Sequence, residues 1–431
     1  MSLPRYPQYK DSKVEWLGRV PHGWDVMRLM RVASVNDDVL PESTSPTFEI
    51  EYVDIGSVSL DRGIERAEKL IFSDAPSRAR RLVRDGDVLV STVRTYLKAI
   101  APVVNQPENL VVSTGFAVIR PMLKLCPGYA KYALQTTGFV DEVISRSTGV
   151  SYPAINASDL VRISIPVPSL DEQAAIVAFL DLETSKIDAL ISEQEKLIAL
   201  LAEKRVATIS QAVTRGLDRD SPTKESRAGW LGSVPSHWKV VPLRWYSRCN
   251  SGDGISSTDI ELAADTEHKI PAIGGNGRMG FTFAGNVDQP LLAIGRVGAL
   301  CGNVHLVQPP AWISDNALML TPSHAFCLEF LAYVLRSRNL NEIASKTAQP
   351  LITGTQVADQ RVPLPPMIEQ EAIAEFINYE TGKFDALQAQ AENAVALFKE
   401  RRSALISAAA TGQIDVRSAV SQAAIQEEFV A

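Results

Sequence analysis

The chain of 431 residues is long enough for about two to four domains, and its 45% hydrophobic and 22% charged residues are typical of a globular protein. No apolar run reaches the ~18–20 residues that a membrane helix requires, and the N-terminus does not resemble a signal peptide. Four scattered cysteines and five dispersed histidines lack the spacing of a zinc site. We therefore expect no metal and a reduced, cytoplasmic protein.

The net charge of −7 argues against a nucleic-acid partner, because phosphates favour basic proteins. The net charge of the whole chain does not exclude a local excess of positive charge, since residues 62–98 contain nine basic and five acidic residues. This modest patch permits contact with DNA but does not establish it.

Residues 1–165 are predicted to form a mixed, mostly β domain. Runs rich in β-branched residues at 53–56, 87–93 and 110–119 are bounded by Gly, Pro or Asn, which is typical of strands. Residues 128–145 have a more helical character.

Residues 166–216 predict one long helix. Ser169 and Glu172 have the spacing of a capping box, apolar residues then recur at helical intervals, and neither Pro nor Gly occurs until Gly216. A glycine there is typical of a helix stop. A helix of this length spans roughly 65 Å and cannot bury its apolar stripe alone, so it needs a partner.

The remaining chain repeats this order. Residues 217–362 are again rich in strand and loop patterns, residues 363–417 repeat the helical pattern, and residues 418–431 are expected to be a flexible tail. Pro366 stands where Ser169 caps the first helix, so we expect the second helix to start differently.

Two blocks of sequence occur twice. Trp16–Trp24 returns as Trp230–Trp238, 214 residues later, and Pro166–Gln173 returns as Pro363–Gln370, 197 residues later. A period this long indicates a duplicated half-protein rather than a solenoid. A weaker repeat relates the segments 152–155 and 349–352.

The two helical stripes match at the 197-residue shift, with Asp188 matching Asp385 and Arg205 matching Arg402. This predicts an α+β fold in which two mixed domains alternate with two long helices, and the helices pair as an antiparallel coiled coil in a pseudo-two-fold ring. The alternative is that each helix packs on its own globular domain. The residues expected to serve helix pairing or partner docking are Ile187, Leu190, Leu197, Leu201, Phe384, Leu387, Val395 and Phe398.

The motifs of catalysis are missing. Gly275–Gly280 matches G-x-G-x-x-G, but Phe281–Asn286 does not open a helix, so the run does not predict a dinucleotide site. The sequence has no P-loop, no Asn/Asp-Pro-Pro-Tyr/Phe methyltransferase motif, no nuclease carboxylate cluster and no G-x-S-x-G elbow. A chain of this size without such residues is predicted to bind rather than to catalyse.

The repeated tryptophan block, the Pro-x-Pro-x-x-x-Glu-Gln junctions and the long helices resemble the specificity subunits of type I restriction-modification systems. The segments 273–277, 294–298 and 313–316 are similar to the target-recognition domains of that family. The resemblance implies a subunit without catalysis, in which each domain reads one half of a split site in double-stranded DNA. It also implies that the helices set the spacing of the half-sites and dock two methyltransferase subunits. Restriction subunits that hydrolyse ATP would join this complex later. S-adenosylmethionine, ATP and magnesium would then belong to the partner subunits.

Arginine and lysine can contact phosphates or guanine, and asparagine can read adenine, so such residues near predicted strand ends are candidates for DNA contact. In the first domain these are Arg78, Arg80, Arg81, Arg94 and Lys98, and in the second they are Asn276, Arg278 and Arg296. Solvated charge or loop structure explains each of them equally well. The repeated tryptophans fit packing between a domain and a helix better than base stacking.

Two other functions remain open. The chain could be a duplicated coiled-coil scaffold that has no DNA specificity, or a self-sufficient DNA methyltransferase or nuclease. Salt-dependent, sequence-selective DNA binding would argue against the scaffold, and the missing methyltransferase motif argues against the enzyme.

Overall fold

The computed structural model describes residues 4–345 and 349–418. Its contacts divide the chain into two compact units, of which unit 1 comprises Met1–Glu195 with Glu392–Ala431 and unit 2 comprises Lys196–Ala391. Both divisions fall inside the long helices, so each unit contains one mixed domain and a segment of each helix. The predicted tail lies, except for Ser418, outside the described residues.

Unit 1 contains short strands followed by three short helices. The strands are β1 (Tyr9–Asp11), β2 (Arg19–Pro21), β3 (Asp25–Arg28), β4 (Ala33–Val35), β5 (Glu49–Val53), β6 (Val58–Ser59), β7 (Gly63–Ile64), β8 (Glu68–Ile71), β9 (Ala79–Leu82), β10 (Val88–Ser91), β11 (Ile100–Pro102), β12 (Leu110–Ser113), β13 (Phe116–Pro121) and β14 (Ser164–Val167). The helices are α1 (Pro127–Ala133), α2 (Thr137–Ser145) and α3 (Ala157–Leu160), after which the long helix α4 (Leu170–Arg215) begins.

Two four-stranded sheets form the domain of unit 1, which we call head 1 (residues 4–167). One sheet has the order β4-β13-β10-β11 and is antiparallel, and the other has the order β8-β5-β12-β9 with β5 and β12 parallel. β14 pairs with β3 directly before α4 begins. The core packs α1 and α2 on the first sheet around the buried Tyr129, Tyr132 and Phe139.

The structure refines the strand predictions of head 1. The predicted strand at 53–56 ends at Val53, because the Asp54 side chain accepts a hydrogen bond from the Ile55 amide and starts a 3₁₀ turn. The single run predicted at 110–119 is two strands in different sheets, separated by the turn at Thr114 and Gly115.

Unit 2 contains the strands β15 (Thr223–Glu225), β16 (Ser233–Pro235), β17 (Lys239–Pro242), β18 (Ser247–Ser251), β19 (Ile270–Gly274), β20 (Gly277–Thr282), β21 (Leu291–Gly295), β22 (Val304–Val307), β23 (Trp312–Ile313), β24 (Ala317–Pro322) and β25 (Arg361–Leu364). Its short helices are α5 (Leu328–Ser337) and α6 (Gly354–Ala358), and the long helix α7 (Met367–Ala410) follows β25.

The domain of unit 2, which we call head 2 (residues 223–364), repeats the topology of head 1. Its antiparallel sheet has the order β18-β24-β21-β22, strand for strand that of β4-β13-β10-β11. Its second sheet, β20-β19-β23, keeps the parallel central pair, since β19 and β23 run in the same direction as β5 and β12 do. Within the described residues, head 2 has no counterpart of β9 or of the β6-β7 hairpin. The G-x-G-x-x-G run forms the β19-β20 hairpin and opens no helix.

The long helices pair antiparallel within each unit. In unit 1, Glu172 near the start of α4 faces Arg417 beyond the end of α7, and Asp188 further along accepts a bond from Arg402 Nε at 2.9 Å. In unit 2 the repeat-related residues form the same pair, with Arg205 Nη1 2.7 Å from Asp385 Oδ1. The predicted α+β fold with paired antiparallel helices is confirmed.

The predicted capping box of α4 is half formed. The Ser169 hydroxyl accepts a bond from the Glu172 amide at 3.3 Å. The Glu172 carboxylate accepts from Trp24 Nε1 at 3.2 Å, so it serves the packing of head 1 instead of the helix start.

Candidate nucleic-acid interface

The central strand β10 of head 1 leads directly into a loop that carries two of the predicted cations. The Thr92 amide donates to the Gly115 carbonyl at 2.8 Å, and the Thr92 carbonyl accepts from the Ile155 amide at 2.9 Å. The chain then turns through a short 3₁₀ segment at residues 95–97. The loop is therefore held on both sides as it leaves the sheet.

Arg94 and Lys98 flank this 3₁₀ turn, and both are exposed. Each adopts a left-handed backbone conformation with φ near 52°, which is costly for residues other than glycine and persists only where the surrounding structure holds it. The Arg94 guanidinium lies 4.9 Å from the centroid of the Tyr152 ring. Within residues 4–345 and 349–418, neither cation forms an ion pair.

The other predicted cations of head 1 lie on or beside β9, and their surroundings differ. Arg78 donates to the Tyr52 hydroxyl at 3.1 Å and pairs with Asp54 at 3.2 Å, and these two groups raise the pKa of Arg78. The Arg80 guanidinium lies 4.7 Å from the centroid of the Phe72 ring.

Arg81 is half-buried, and its Nε has no hydrogen-bond partner within the described part of the chain. Burial lowers the pKa of its guanidinium. A buried donor without an acceptor is costly and is relieved by any acceptor that approaches it.

The turn at Thr114 and Gly115 joins the β9 edge to the loop after β10. The Thr114 amide donates to the Arg78 carbonyl at 2.8 Å, while the Gly115 carbonyl accepts from Thr92. The fold thus brings Arg78, directly before β9, close to the loop that carries Arg94 and Lys98.

Arg296 of head 2 occupies the position that Thr92 has in head 1. Its amide donates to the Asn316 carbonyl at 2.9 Å and its carbonyl accepts from the Ile352 amide at 2.9 Å, which is the bonding pattern of Thr92. The Arg296 side chain also donates to the Ser251 hydroxyl at 3.1 Å, so it is half-buried and oriented by its own domain.

Asn276 lies in the β19-β20 turn and reaches the same end of head 2. The backbone of Gly275 approaches that of Gly295 so closely that a Cβ atom at Gly295 would overlap the Gly275 carbonyl. This contact needs glycine and brings the turn beside Arg296. Asn276 Oδ1 accepts a bond from Asn303 at 3.0 Å.

Arg278, the third candidate of head 2, is exposed on β20, with its guanidinium 5.0 Å from the centroid of the Phe281 ring. It is two residues beyond Asn276, across the β19-β20 turn. The three candidates of head 2 therefore lie on the loops and hairpin at one end of its sheets.

The sequence interpretation missed several exposed apolar residues beside the head 1 cations. Tyr96, Leu97, Val150 and Tyr152 all belong to the loop after β10 or to the adjoining segment 147–154. The weak repeat of 152–155 at 349–352 was the signal that this segment is part of the shared framework. Nothing in the local pattern indicated that its side chains are exposed.

The residues predicted for helix pairing or docking divide into three groups by burial. Ile187, Leu201 and Phe384 are buried, and Val395 and Phe398 are half-buried. Leu190, Leu197 and Leu387 are exposed, although they follow the same helical spacing. Two adjacent helices cover only part of each apolar stripe, so these leucines are left on the surface.

The second tryptophan of each repeated block belongs to the junction between a head and its helices. In unit 1, Trp24 is buried, donates to Glu172 of α4, and lies against Gly412, which ends α7 in a left-handed conformation. In unit 2, the buried Trp238 donates to Glu369 of α7 at 2.7 Å and lies against Gly216. These rings serve packing and are not available to stack on bases.

The glutamine of each junction motif has the same role in both units. Gln173 is fully buried, accepts from the Cys126 amide, and donates to the carbonyls of Lys124 and Pro168. Gln370 is also fully buried and forms the corresponding bonds with Cys327, Ala325 and Pro365. The Glu-Gln dipeptide therefore attaches each helix start to its head.

Residues 4–345 and 349–418 contain no group of three or more His, Cys, Asp or Glu side chains that could hold a metal ion. None of their helices combines the length and the hydropathy that crossing a bilayer requires.

The chain is similar to known proteins over most of its length. A family model described as "Type I restriction modification DNA specificity domain" matches residues 21–199 and 284–396, which together exceed half of the chain. The type I restriction enzyme EcoprrI specificity subunit of Escherichia coli is 22% identical over 397 residues, which are 87% of this chain and 92% of that protein. The EcoKI specificity subunit of Escherichia coli K12 is 23% identical and covers 69% of this chain and 68% of its own length.

Two solved structures share the fold. A chain from "Structural basis underlying complex assembly and conformational transition of the type I R-M system" has a TM-score of 0.68 and 24% identity, and the match covers 90% of this chain and 98% of that one. The HsdS subunit from Thermoanaerobacter tengcongensis has a TM-score of 0.50 and 23% identity, and the match covers 92% of this chain and 98% of that one. The protein belongs to the type I restriction-modification DNA specificity family and is a DNA specificity subunit.

Proposed function

We propose that head 1 and head 2 each read one half of a bipartite site in double-stranded DNA, and that the paired helices set the spacing of the halves. The helices would also dock two adenine methyltransferase subunits, to which ATP-dependent restriction subunits can be added. Under this proposal the chain performs no chemistry itself, and S-adenosylmethionine, ATP and magnesium act in the partner subunits.

The observation that carries the proposal is the equivalence of the loops after β10 and β21. Both leave the central strand of the same antiparallel sheet through the same backbone hydrogen bonds, yet one presents Arg94 and Lys98 and the other presents Arg296. A shared framework with different loop side chains suits two recognition surfaces for different base sequences.

The chemistry of these side chains supports a division of labour on DNA. The exposed Arg94 and Lys98 suit phosphate contact, which needs reach and positive charge more than fixed geometry. Arg296 is oriented by the Ser251 hydroxyl and can present a fork to guanine, while Asn276 suits adenine. Arg78 is committed to Asp54 and Tyr52, so we assign it to loop structure in preference to direct contact.

The exposed leucines of the helices support partner docking. Leu190 and Leu387 are repeat-related and are 47% and 46% exposed, and Leu197 is 39% exposed on the same long helix as Leu190. Apolar side chains repeated along a helix surface are typical of a protein interface. Leu197 matches Ala394 at the repeat shift, so the equivalent pair is Leu190 and Leu387, which suits two copies of one partner.

The test is to reconstitute the chain with its methyltransferase subunit and map methylated adenines across a genomic library. The double variant R94A/K98A removes phosphate contacts that position head 1, so it should lower methylation at one half-site without changing the bases selected there. N276A/R296A should relax or abolish base selection at the other half-site only. The salt dependence of binding should also weaken by roughly one unit of slope for each phosphate contact removed.

Two matched controls remove exposed arginines that each pair with an aspartate in or next to the last short helix of a head. Arg162 pairs with Asp159 of α3, and Arg244 pairs with Asp359 beyond α6. R162A and R244A should leave both half-sites unchanged. If either recognition variant altered both half-sites equally, or if binding ignored sequence and salt, a scaffold without DNA specificity would replace this proposal.

A further inference from the structure

Head 1 carries an exposed apolar tip, formed by residues 93–98 and 147–154. Val150 is 101% exposed and Tyr152 is 66% exposed, while Tyr96 and Leu97 are 52% and 45% exposed. A single exposed apolar side chain is ordinary, but four of them on two adjoining segments indicate an interaction surface.

The tip is rigidly built. The buried Thr95 shares a hydrogen bond of 2.8 Å with the Ser147 hydroxyl, which ties the two segments together. Val93 pairs with Ala154 as an isolated β-bridge, and the amide of Lys98 donates to the carbonyl of Thr95. The apolar side chains are therefore presented from a fixed platform, so inserting them costs little loop ordering.

The charges around the tip indicate what covers it. Arg94 and Lys98 stand immediately on either side of Thr95, Tyr96 and Leu97. The Arg94 guanidinium lies over the Tyr152 ring, and within the described residues neither it nor Lys98 has a carboxylate partner. An apolar projection between two such cations suits a polyanion that has apolar surface between its charges. Duplex DNA has this arrangement, with stacked bases between two phosphate backbones.

We propose that Tyr96 and Leu97 form a wedge that enters a base step within or beside the half-site of head 1 and kinks the duplex. Arg94 and Lys98 would hold the flanking phosphates, and the inserted side chains would take the place of stacking between neighbouring bases. This inference rests on the proposed function and adds that head 1 recognises the deformability of its site as well as its bases.

Head 2 is predicted to deform DNA less. Its corresponding loop runs Gly298, Ala299 and Leu300, of which only Leu300 is a large exposed hydrophobic residue. The loop has no aromatic side chain and no cation beyond Arg296. The kink should therefore lie on the side of the site that head 1 reads.

The experiment uses the full chain reconstituted with its methyltransferase subunit, on duplexes that carry the mapped site. Bend position and angle are measured by circular-permutation mobility and by energy transfer between DNA ends. Y96A/L97A should bend the duplex less than half as much as the wild type and bind it about tenfold more weakly, the size of one lost stacking contact. A mismatch at the kinked step should restore most of that affinity, because unstacking is then easier.

Two variants calibrate this result. L123A removes a 96% exposed leucine of unit 1 away from the tip and should behave as the wild type. Y96F keeps the ring and should keep the bend, which separates insertion from a hydrogen bond of the hydroxyl.

The outcomes separate the two proposals. If Y96A/L97A bends DNA like the wild type while R94A/K98A still lowers methylation at one half-site, the wedge is wrong and the recognition proposal stands. If R94A/K98A has no effect on either half-site, the DNA-facing assignment of this end of head 1 is wrong. If Y96A/L97A loses the methyltransferase subunit in size-exclusion chromatography, the tip contacts protein, and the wedge is overturned.

Discussion

Head 1 and head 2 have the same framework but stabilise it differently. Both contain an antiparallel sheet of the same strand order, a parallel central pair in the second sheet, and a junction built on Trp, Glu and Gln. What differs is the interior of the sheets and the loops. The comparison indicates that the residues in contact with the helices are nearly the same in both heads. The sequences of the heads differ where residues pack only within their own head.

The clearest interior difference lies between the two equivalent pairs of strands, β10-β13 and β21-β24. In head 1, Arg120 donates to the 1% exposed Asp87 at 2.9 and 2.7 Å and to Asp38 at 2.6 Å. These interactions lower the pKa of Asp38 and raise that of Arg120. The strand registers place Leu291 and Thr321 of head 2 at the positions of Asp87 and Arg120.

The largest expected effect comes from breaking this buried pair on one side. R120M should destabilise unit 1 by about 3–5 kcal/mol, because it leaves the Asp87 carboxylate buried without its cation. The measurement is hydrogen exchange of the β10 and β13 amides, compared with those of β21 and β24, because a chain of two units need not unfold in one step.

Replacing both partners with the head 2 residues sharpens the comparison. D87L/R120T should recover most of the stability lost in R120M, since a buried ion pair can often be exchanged for apolar packing at little cost. R84M removes a 67% exposed arginine that also contacts Asp38 and serves as the control, with an effect below about 1 kcal/mol. A double variant as unstable as R120M would mean that the two interiors are not interchangeable.

A somewhat smaller and symmetric effect is expected at the junction glutamines. Q173L should destabilise unit 1, and Q370L unit 2, by about 2–3 kcal/mol each, because each change leaves a backbone amide and two carbonyls without their buried partner. Local hydrogen exchange at the start of α4 and of α7 measures the two losses separately.

Q211L is the control for the glutamine variants, since Gln211 is an exposed residue of α4. It should change neither unit by more than about 0.5 kcal/mol. A strong effect at one junction glutamine and a weak one at the other would contradict the view that the junction is the conserved part of the framework.

The sequence was most informative where structure depends on local spacing. The absence of Pro and Gly after Ser169, the helical stripe and the 197-residue shift predicted both long helices and their antiparallel pairing, and Gly216 marked a true helix end. Family resemblance rested in part on the junction motifs, whose buried Gln and partly buried Glu side chains now have a physical role.

The sequence was least informative where structure depends on distant partners. Leu190 and Ile187 follow the same periodic pattern, but only Ile187 is covered, and this depends on how the helices and heads pack. The contact between Arg120 and Asp87 joins two strands and left no local pattern. Exposure of Tyr96 and Tyr152 at one tip likewise arises from the bridge between Val93 and Ala154.

The smallest expected difference concerns the two glycines that end the long helices. Gly216 and Gly412 have φ values of +72° and +74°, so alanine at either position costs about 1–2 kcal/mol of backbone strain. The spaces around them differ, because a Cβ at Gly412 would lie 2.5 Å from Pro21 Cγ, whereas one at Gly216 would lie 3.1 Å from Trp238 Cζ2.

G412A should therefore destabilise unit 1 by roughly 1 kcal/mol more than G216A destabilises unit 2, because the Pro21 ring must move to admit the methyl group. Hydrogen exchange in the last turn of each long helix would measure this difference. G382A, at a glycine inside α7 with open space around its Cα, is the opposite control and should stabilise that helix slightly. Equal losses in G216A and G412A would mean that backbone conformation alone, and not the fit of each helix end against its head, limits divergence at the junction.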